Sequence, residues 1–388
     1  MIGKRVVIAA NWLGWFSVFL IRFAPSPVLI LIEKSFNLTH GEASLIFTSY
    51  LLAYAVMQIP AGVLSDRISP SRVIAAGLAI MTISGFAMGL SPTFVTMILL
   101  SFLTGMGAGT FYTSSTSLLS LLFPPREREK VLGIVYSGIG AGTSVAIAVG
   151  GFLGSLLGWR GIFFILAIPG AISAILFTRI RIPDPNKPRR SGFSSLGLEI
   201  LRIRTIAICI VIHALMLVTY FGITSFTPTY IAISIGKSLV EAGLLFLVFP
   251  LSEIFGGLVG GYIASRIGSK SVLMISLISI SIGTAAIPFT RSVFHVVPIL
   301  SMIGLMFRAA ATALPLIVVE STPRHVLGAI LGWYNSIGFV GASIGPYTFG
   351  YIADLHGFLL SYIALSLFPL VSVVLLRMLK TGYVARNI

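Results

Sequence analysis

Apolar stretches long enough to cross a lipid bilayer recur from one end of this 388-residue chain to the other. About 20 predominantly apolar residues suffice for a helix to span the hydrocarbon. Runs of that kind fall at roughly 6–32, 41–65, 71–90, 93–122, 131–157, 160–180, 205–233, 239–265, 271–289, 292–320, 326–353 and 356–378. In hydrocarbon every backbone N–H and C=O must pair within the protein, so only helices and closed barrels cross it. The ten-residue alternating pattern of barrel strands is absent. Only 10% of the residues are charged, against about 25% in a soluble domain. The expectation is an all-α membrane protein with twelve crossings.

A net charge of +15 invites a nucleic-acid reading, but its distribution excludes one. With the N-terminus inside, only Lys34, Arg160, Lys237 and Arg291 fall in outer loops or at outer span ends, and only Arg22 and Arg308 fall near the middle of a span. The remaining Lys and Arg lie in inner loops and tails, as the positive-inside rule requires. Both termini are therefore expected in the cytoplasm of a multi-pass cell-membrane protein. The start, "MIGKRVVIAANWLGWF", has the basic and apolar order of a signal peptide, but no small-residue cleavage site follows and it is read as the first retained span. The single cysteine, Cys209, leaves no disulfide framework or thiolate metal cluster.

The longest polar interruption, Arg179–Arg204, sits mid-chain and suits a cytoplasmic linker. A short amphipathic helix around Leu196–Ile203 could lie there on the anionic leaflet. The flanking halves resemble each other. "GEASLIF" at Gly41 answers "VEAGLLF" at Val240, and "GVLSDRISPSRV" at Gly62 answers "GYIASRIGSKSV" at Gly261. "PPREREKVLG" at Pro124 answers "TPRHVLG" at Thr322. The domain division expected is residues 1–180, a linker 181–204, and residues 205–388, with the two bundles as repeats.

These motifs resemble the major facilitator superfamily. Gly62, Leu64, Asp66, Arg67 and Arg72 match its G-x-L-x-D-R-x-G-R-[KR] loop, with Ser69 and Pro70 departing from it. The second copy keeps Arg266, Gly268 and Lys270 but has Ser265 where the acid belongs. "GWRGIFF" at Gly158 resembles the family's entry to span six. The resemblance implies two pseudo-symmetric six-helix bundles that alternate access, and a gating role for Gly62, Asp66, Arg67, Arg72 and Arg266. Ser101 stands where proton-driven drug antiporters of the superfamily carry an arginine, and "AIAV" precedes Gly150 and Gly151 where they carry Gly-Pro. Both departures disfavour drug antiport.

Three charges fall mid-span: Arg22, Glu253 and Arg308. Intramembrane charges are expensive unless they face a polar interior, so they mark a hydrated or ligand-filled cavity, expected at the repeat interface. Pro25 and Pro27 should open the helix after Arg22, while Ser26 and Thr312 lie one turn from their arginines. Guanidinium suits bidentate binding of carboxylate or phosphate, and span-one arginines resemble those of the superfamily's organic-anion carriers. A structural ion pair of Glu253 with either arginine is the competing reading. Glu253 is the candidate proton carrier, with His213 a weaker one. Tyr50, Tyr54 and Gln58 share a helix face, and Tyr220, Tyr334 and Asn335 are further lining candidates. Glu320 and Asp354, at span ends, read as caps or loop partners. Glycines in "GIGAG" and "GFVGASIGP" read as close-packing positions rather than phosphate loops.

The expected function is secondary transport of a small organic anion, by proton symport or anion exchange, with Arg22, Arg308, Tyr50, Tyr54, Gln58, Tyr220, Tyr334 and Asn335 binding substrate. The alternative is an exporter of drugs or lipophilic metabolites whose arginines sit in gating pairs. No nucleophile–base or metal constellation appears, so an enzyme, a cofactor and a metal are not expected. Partners are the anion, protons or a counter-anion, and membrane lipids; a monomer is expected.

Overall fold

The computed structural model describes residues 4–180, 203–322 and 327–379. The proposed amphipathic segment at 196–203 lies almost wholly outside them. Among the described residues thirteen α-helices run in chain order: α1 Lys4–Phe23, α2 Leu29–Phe36, α3 His40–Arg67, α4 Pro70–Met88, α5 Phe94–Gly109, α6 Phe111–Leu122, α7 Pro125–Arg179, α8 Arg204–Ser234, α9 Leu239–Phe246, α10 Val248–Ile267, α11 Ser269–Ala286, α12 Val293–Glu320 and α13 Leu327–Arg377. Among the described residues ten segments are long and apolar enough to cross a membrane. Two of these, in α7 and α13, are double-length and break at Gly158 (φ 67°) and Gly357 (φ 76°). An L side chain avoids that backbone region, so glycine makes each sharp reversal possible. Splitting at these glycines gives the twelve crossings expected from hydropathy.

Two compact units form. One holds Met1–Asn37 and Ser49–Ser191; the other holds Leu38–Thr48 and Gly192–Ile388. In the first, α1 packs along α7; in the second, α8 packs along α13. The glycines of the two "small-residue" stretches explain the closeness. A Cβ on Gly138 would lie 2.6 Å from the Trp12 carbonyl, and one on Gly142 would run into the Phe16 backbone. In the second unit a Cβ on Gly341 would lie 2.7 Å from Ala214 Cβ, and one on Gly345 would strike the Val218 backbone. Small residues let transmembrane backbones approach in this way, because dispersion and not hydrophobic burial drives packing in lipid. Large apolar side chains such as Ile83, Val95, Ile282 and Phe294 are exposed on the surface, as a hydrocarbon solvent demands.

The repeated loop turns by a different device in each half. Between α3 and α4, Ser69 is extended (φ −56°, ψ 125°) and Pro70 opens α4, where a missing N–H costs nothing. Between α10 and α11 the turn is made at Gly268 (φ 85°). Ser69 stands at the signature's glycine, and its extended backbone before Pro70 keeps the reversal.

Candidate functional site

Each unit carries a cluster around its intramembrane arginine. Arg22 closes α1. Beyond Phe23 the helix is interrupted, a 3₁₀ turn spans Ser26–Val28, and α2 resumes at Leu29. The prolines thus break the helix directly after the arginine, as the sequence implies. Arg22 is only 4% exposed. Its guanidinium carbon lies 4.3 Å from the Tyr54 ring centre, 4.4 Å from Phe19 and 5.3 Å from Tyr50. Tyr50 and Tyr54, one turn apart on α3, are parallel (9° between planes, centroids 6.4 Å). The faces of both rings carry negative potential, so stacking stabilises the cation by about 0.5–2 kcal/mol per favourable ring. Tyr50 Oη donates to the Val18 carbonyl (3.4 Å). Gln58, one turn further along α3, is buried, and its main-chain carbonyl accepts from Thr113 Oγ1 (3.4 Å).

In the second unit α10 lies against α12. Glu253 is 7% exposed, accepts from Tyr220 Oη at 3.4 Å and interacts electrostatically with Arg308. No direct ion pair within 4 Å joins Glu253 to Arg308 among the described residues. Gly257, one turn beyond Glu253, accommodates the Arg308 stem: a Cβ there would lie 3.2 Å from Arg308 Cγ. Tyr220 packs against Phe221, Phe249 and Phe307, with centroids 5.1–5.7 Å away. Thr312 does not serve the guanidinium; its hydroxyl donates to the Arg308 main-chain carbonyl (2.9 Å), the usual fate of a mid-helix threonine.

His213 stacks on Tyr334 (centroids 4.1 Å, 16° between planes), and Gly338 leaves room for its ring. No hydrogen bond or ring contact links His213 to Glu253 or Arg308 among the described residues. Asn335 follows Tyr334, half-buried on α13. Of the signature residues, Gly62, Asp66 and Arg67 form the last turns of α3, and Arg67 and Arg72 are exposed. The Asp66 side chain lies outside the described set. Arg266 is exposed and stacks over Tyr262 at 4.6 Å.

Sequence reasoning missed Phe19, Trp15, Tyr112 and Tyr136. Trp15, Phe19 and Arg22 recur at helical spacing, and that spacing was the available signal.

A model of the Major Facilitator Superfamily matches residues 12–346, and again 241–385. The chain belongs to this superfamily. It is a membrane transporter, not an enzyme, and the second match falls on the second half of the repeat. Among characterised relatives, the chain is 24% identical to the cis,cis-muconate transport protein of Acinetobacter baylyi, covering 83% of this chain and 81% of the relative. It is also 24% identical to the hexuronate transporter of Bacillus subtilis (91% and 89% covered). A third relative at 24% is the multidrug efflux pump SdrM of Staphylococcus aureus (80% and 81% covered). The fold superimposes on a bacterial homolog of the human lysosomal transporter Spinster with a TM-score of 0.83 at 18% identity, covering 97% of this chain and 96% of that one.

Proposed function

We propose that the chain is a secondary active transporter of a small organic anion of the carboxylate or phosphate class, working by alternating access. The observation that carries this reading is Arg22, buried among Phe19, Tyr50 and Tyr54 at the end of a broken helix. A guanidinium offers a planar fork of donors that matches carboxylate and phosphate oxygens, and aromatic faces hold that fork in place. Two relatives named for muconate and hexuronate, both organic anions, support the class. Arg308 is the second anion-binding candidate, with Tyr50, Tyr54, Gln58, Tyr220, Tyr334 and Asn335 lining the path.

Glu253 carries the coupling proton in this reading, with His213 as a second candidate, and transport is proton symport or anion exchange. The bundles 1–180 and 205–388 rock about the linker 181–204. Gly62, Asp66, Arg67, Arg72 and Arg266 gate the side that the Lys and Arg bias places in the cytoplasm, together with both termini. The transporter works as a monomer.

The test is a thermal-shift panel on the purified protein. Carboxylates or phosphates should raise the melting temperature, and Arg22→Ala should abolish the rise; a ligand at 100 times its Kd stabilises by about 2.7 kcal/mol. Stabilisation by cationic or neutral lipophiles that survives Arg22→Ala would overturn the reading. Glu253→Gln should flatten the pH dependence of uptake into liposomes, and an unchanged dependence would remove Glu253 from the coupling path.

A second reading, a drug or metabolite exporter, is favoured by the efflux-pump relative and by the attraction between Glu253 and Arg308. In that reading the arginines serve gating pairs, and the same panel separates the two.

A further inference from the structure

Trp15 lies two turns before Arg22 on α1, and Phe19 falls between them on the same stripe. The indole is 2% exposed. It meets Phe111, Tyr136 and Tyr112 edge to face, with centroids at 5.2, 5.4 and 5.9 Å, and Phe19 at 6.0 Å. Its Nε1–H finds no protein acceptor among the described residues, although a buried tryptophan normally satisfies that donor. Phe19 bridges the two ends: it lies 4.4 Å from the Arg22 guanidinium carbon and 6.0 Å from the Trp15 ring. Aromatic groups therefore run unbroken from the guanidinium to the indole. Phe19, Tyr112 and Tyr136 are only half-buried, so this run retains accessible ring surface. Seven residues of helix separate the Cα atoms of Trp15 and Arg22 by about 10 Å along the axis.

We propose that this unit selects a flat, conjugated carboxylate that carries an acceptor oxygen at the end remote from the carboxylate. The carboxylate sits on Arg22, the conjugated body lies against Phe19, Tyr112 and Tyr136, and the distant oxygen accepts the Trp15 N–H. This rests on the anion reading above and narrows it. A short saturated anion engages only the arginine end. A long saturated one loses the offset-stacked and edge-to-face contacts that aromatic rings make with each other. A body without the oxygen leaves the indole donor desolvated and unmet.

Three probes decide the matter on the full chain in detergent: 3-cyclohexylpropionate, cinnamate and 4-methoxycinnamate. The methoxy oxygen only accepts, and the cyclohexyl ring is the more hydrophobic, so greasiness alone cannot favour cinnamate. Cinnamate should bind about 2- to 10-fold tighter than 3-cyclohexylpropionate, and the methoxy group should add about 2- to 10-fold more. Trp15→Phe should erase the methoxy gain while cinnamate keeps its Arg22-dependent binding, and Phe19→Leu should shrink the preference for cinnamate. Arg22-dependent binding in which the saturated probe equals cinnamate overturns this proposal and leaves the anion reading standing. Arg22-dependent binding by phosphates alone overturns this proposal only; absence of Arg22-dependent binding by any carboxylate or phosphate, acetate, lactate and inorganic phosphate included, overturns both. A methoxy gain that persists in Trp15→Phe means that a water or the protein serves the indole, and removes Trp15 from the site. Should Trp15→Phe fold poorly, the wild-type protein still decides: no gain from the methoxy group overturns the acceptor assignment.

Discussion

Gly256 and Gly257 differ by one position on α10, yet they do different jobs against α12. A Cβ on Gly256 would strike the Leu305 main chain, which cannot yield without moving the helix; a Cβ on Gly257 would press on the Arg308 stem at 3.2 Å, which can rotate. Gly133, on α7, has nothing within 4 Å of the same position. Gly256→Ala should therefore destabilise by about 1–3 kcal/mol, the range for overpacking a tight interface. Gly257→Ala should cost less, and Gly133→Ala should cost nothing or gain up to about 1 kcal/mol from helix propensity, as measured by reversible unfolding in detergent. Equal gains at all three would mean that helix propensity, which favours Ala over Gly, and not contact governs them. At this scale the sequence yields the residue types but not their neighbours. Arg22 is conspicuous in an apolar run, and helical spacing joins it to Tyr50 and Tyr54 only once α1 and α3 are known to touch. Trp15 and Tyr136 look like ordinary membrane aromatics until they are found on one indole-centred cluster. The attraction of Glu253 for Arg308 joins residues 55 positions apart, which no local pattern encodes.

The start of α3 is an element-scale case of the same kind. Thr39 and Glu42 cap it reciprocally: Thr39 N–H donates to Glu42 Oε2 (2.9 Å) and Glu42 N–H donates to Thr39 Oγ1 (3.2 Å). Two further N–H groups, from His40 and Gly41, donate to the two carboxylate oxygens of Asp354 at 2.8 and 2.7 Å. A helix leaves its first four N–H groups without intrahelical partners, and its positive end favours a negative charge. Asp354 satisfies both demands from α13, and the His40 ring is held beside it by Phe226 and Phe358. These contacts explain why residues 38–48 belong to the second unit while the rest of α3 belongs to the first. Asp354→Asn keeps the shape but replaces one acceptor oxygen with an amide and removes the charge. It should cost about 0.5–2 kcal/mol, the range for helix caps, and should speed hydrogen exchange at the first turn of α3. Unchanged exchange there would show that Thr39 and Glu42 suffice. From sequence Asp354 reads correctly as a partner for some helix end or loop, but its partner helix begins more than 300 residues earlier.

For the whole molecule, the repeat is the feature that composition and motif order reveal most fully, because it is written in lipid-scale hydropathy and in paired loops. Its execution is symmetric even where the residues differ. Gly158 and Gly357 make the same reversal in α7 and α13, at the short interruptions that separate the last two spans of each half. Proline and glycine make equivalent turns in the two signature loops. The close-packed seams are also equivalent: Gly142 sits on the Phe16 backbone in one unit and Gly345 on the Val218 backbone in the other. Each seam lies within its own unit and shares no contacting residue with the other. Changes that touch no common partner add within about 0.3–0.5 kcal/mol. Gly142→Ala and Gly345→Ala should each destabilise by about 1–3 kcal/mol, and the double variant should lose their sum. A deficit or excess beyond about 0.5 kcal/mol in that cycle would reveal coupling between the seams. It would mean that the packing of span one against span five is sensed by span seven against span eleven, a connection that neither seam contains alone.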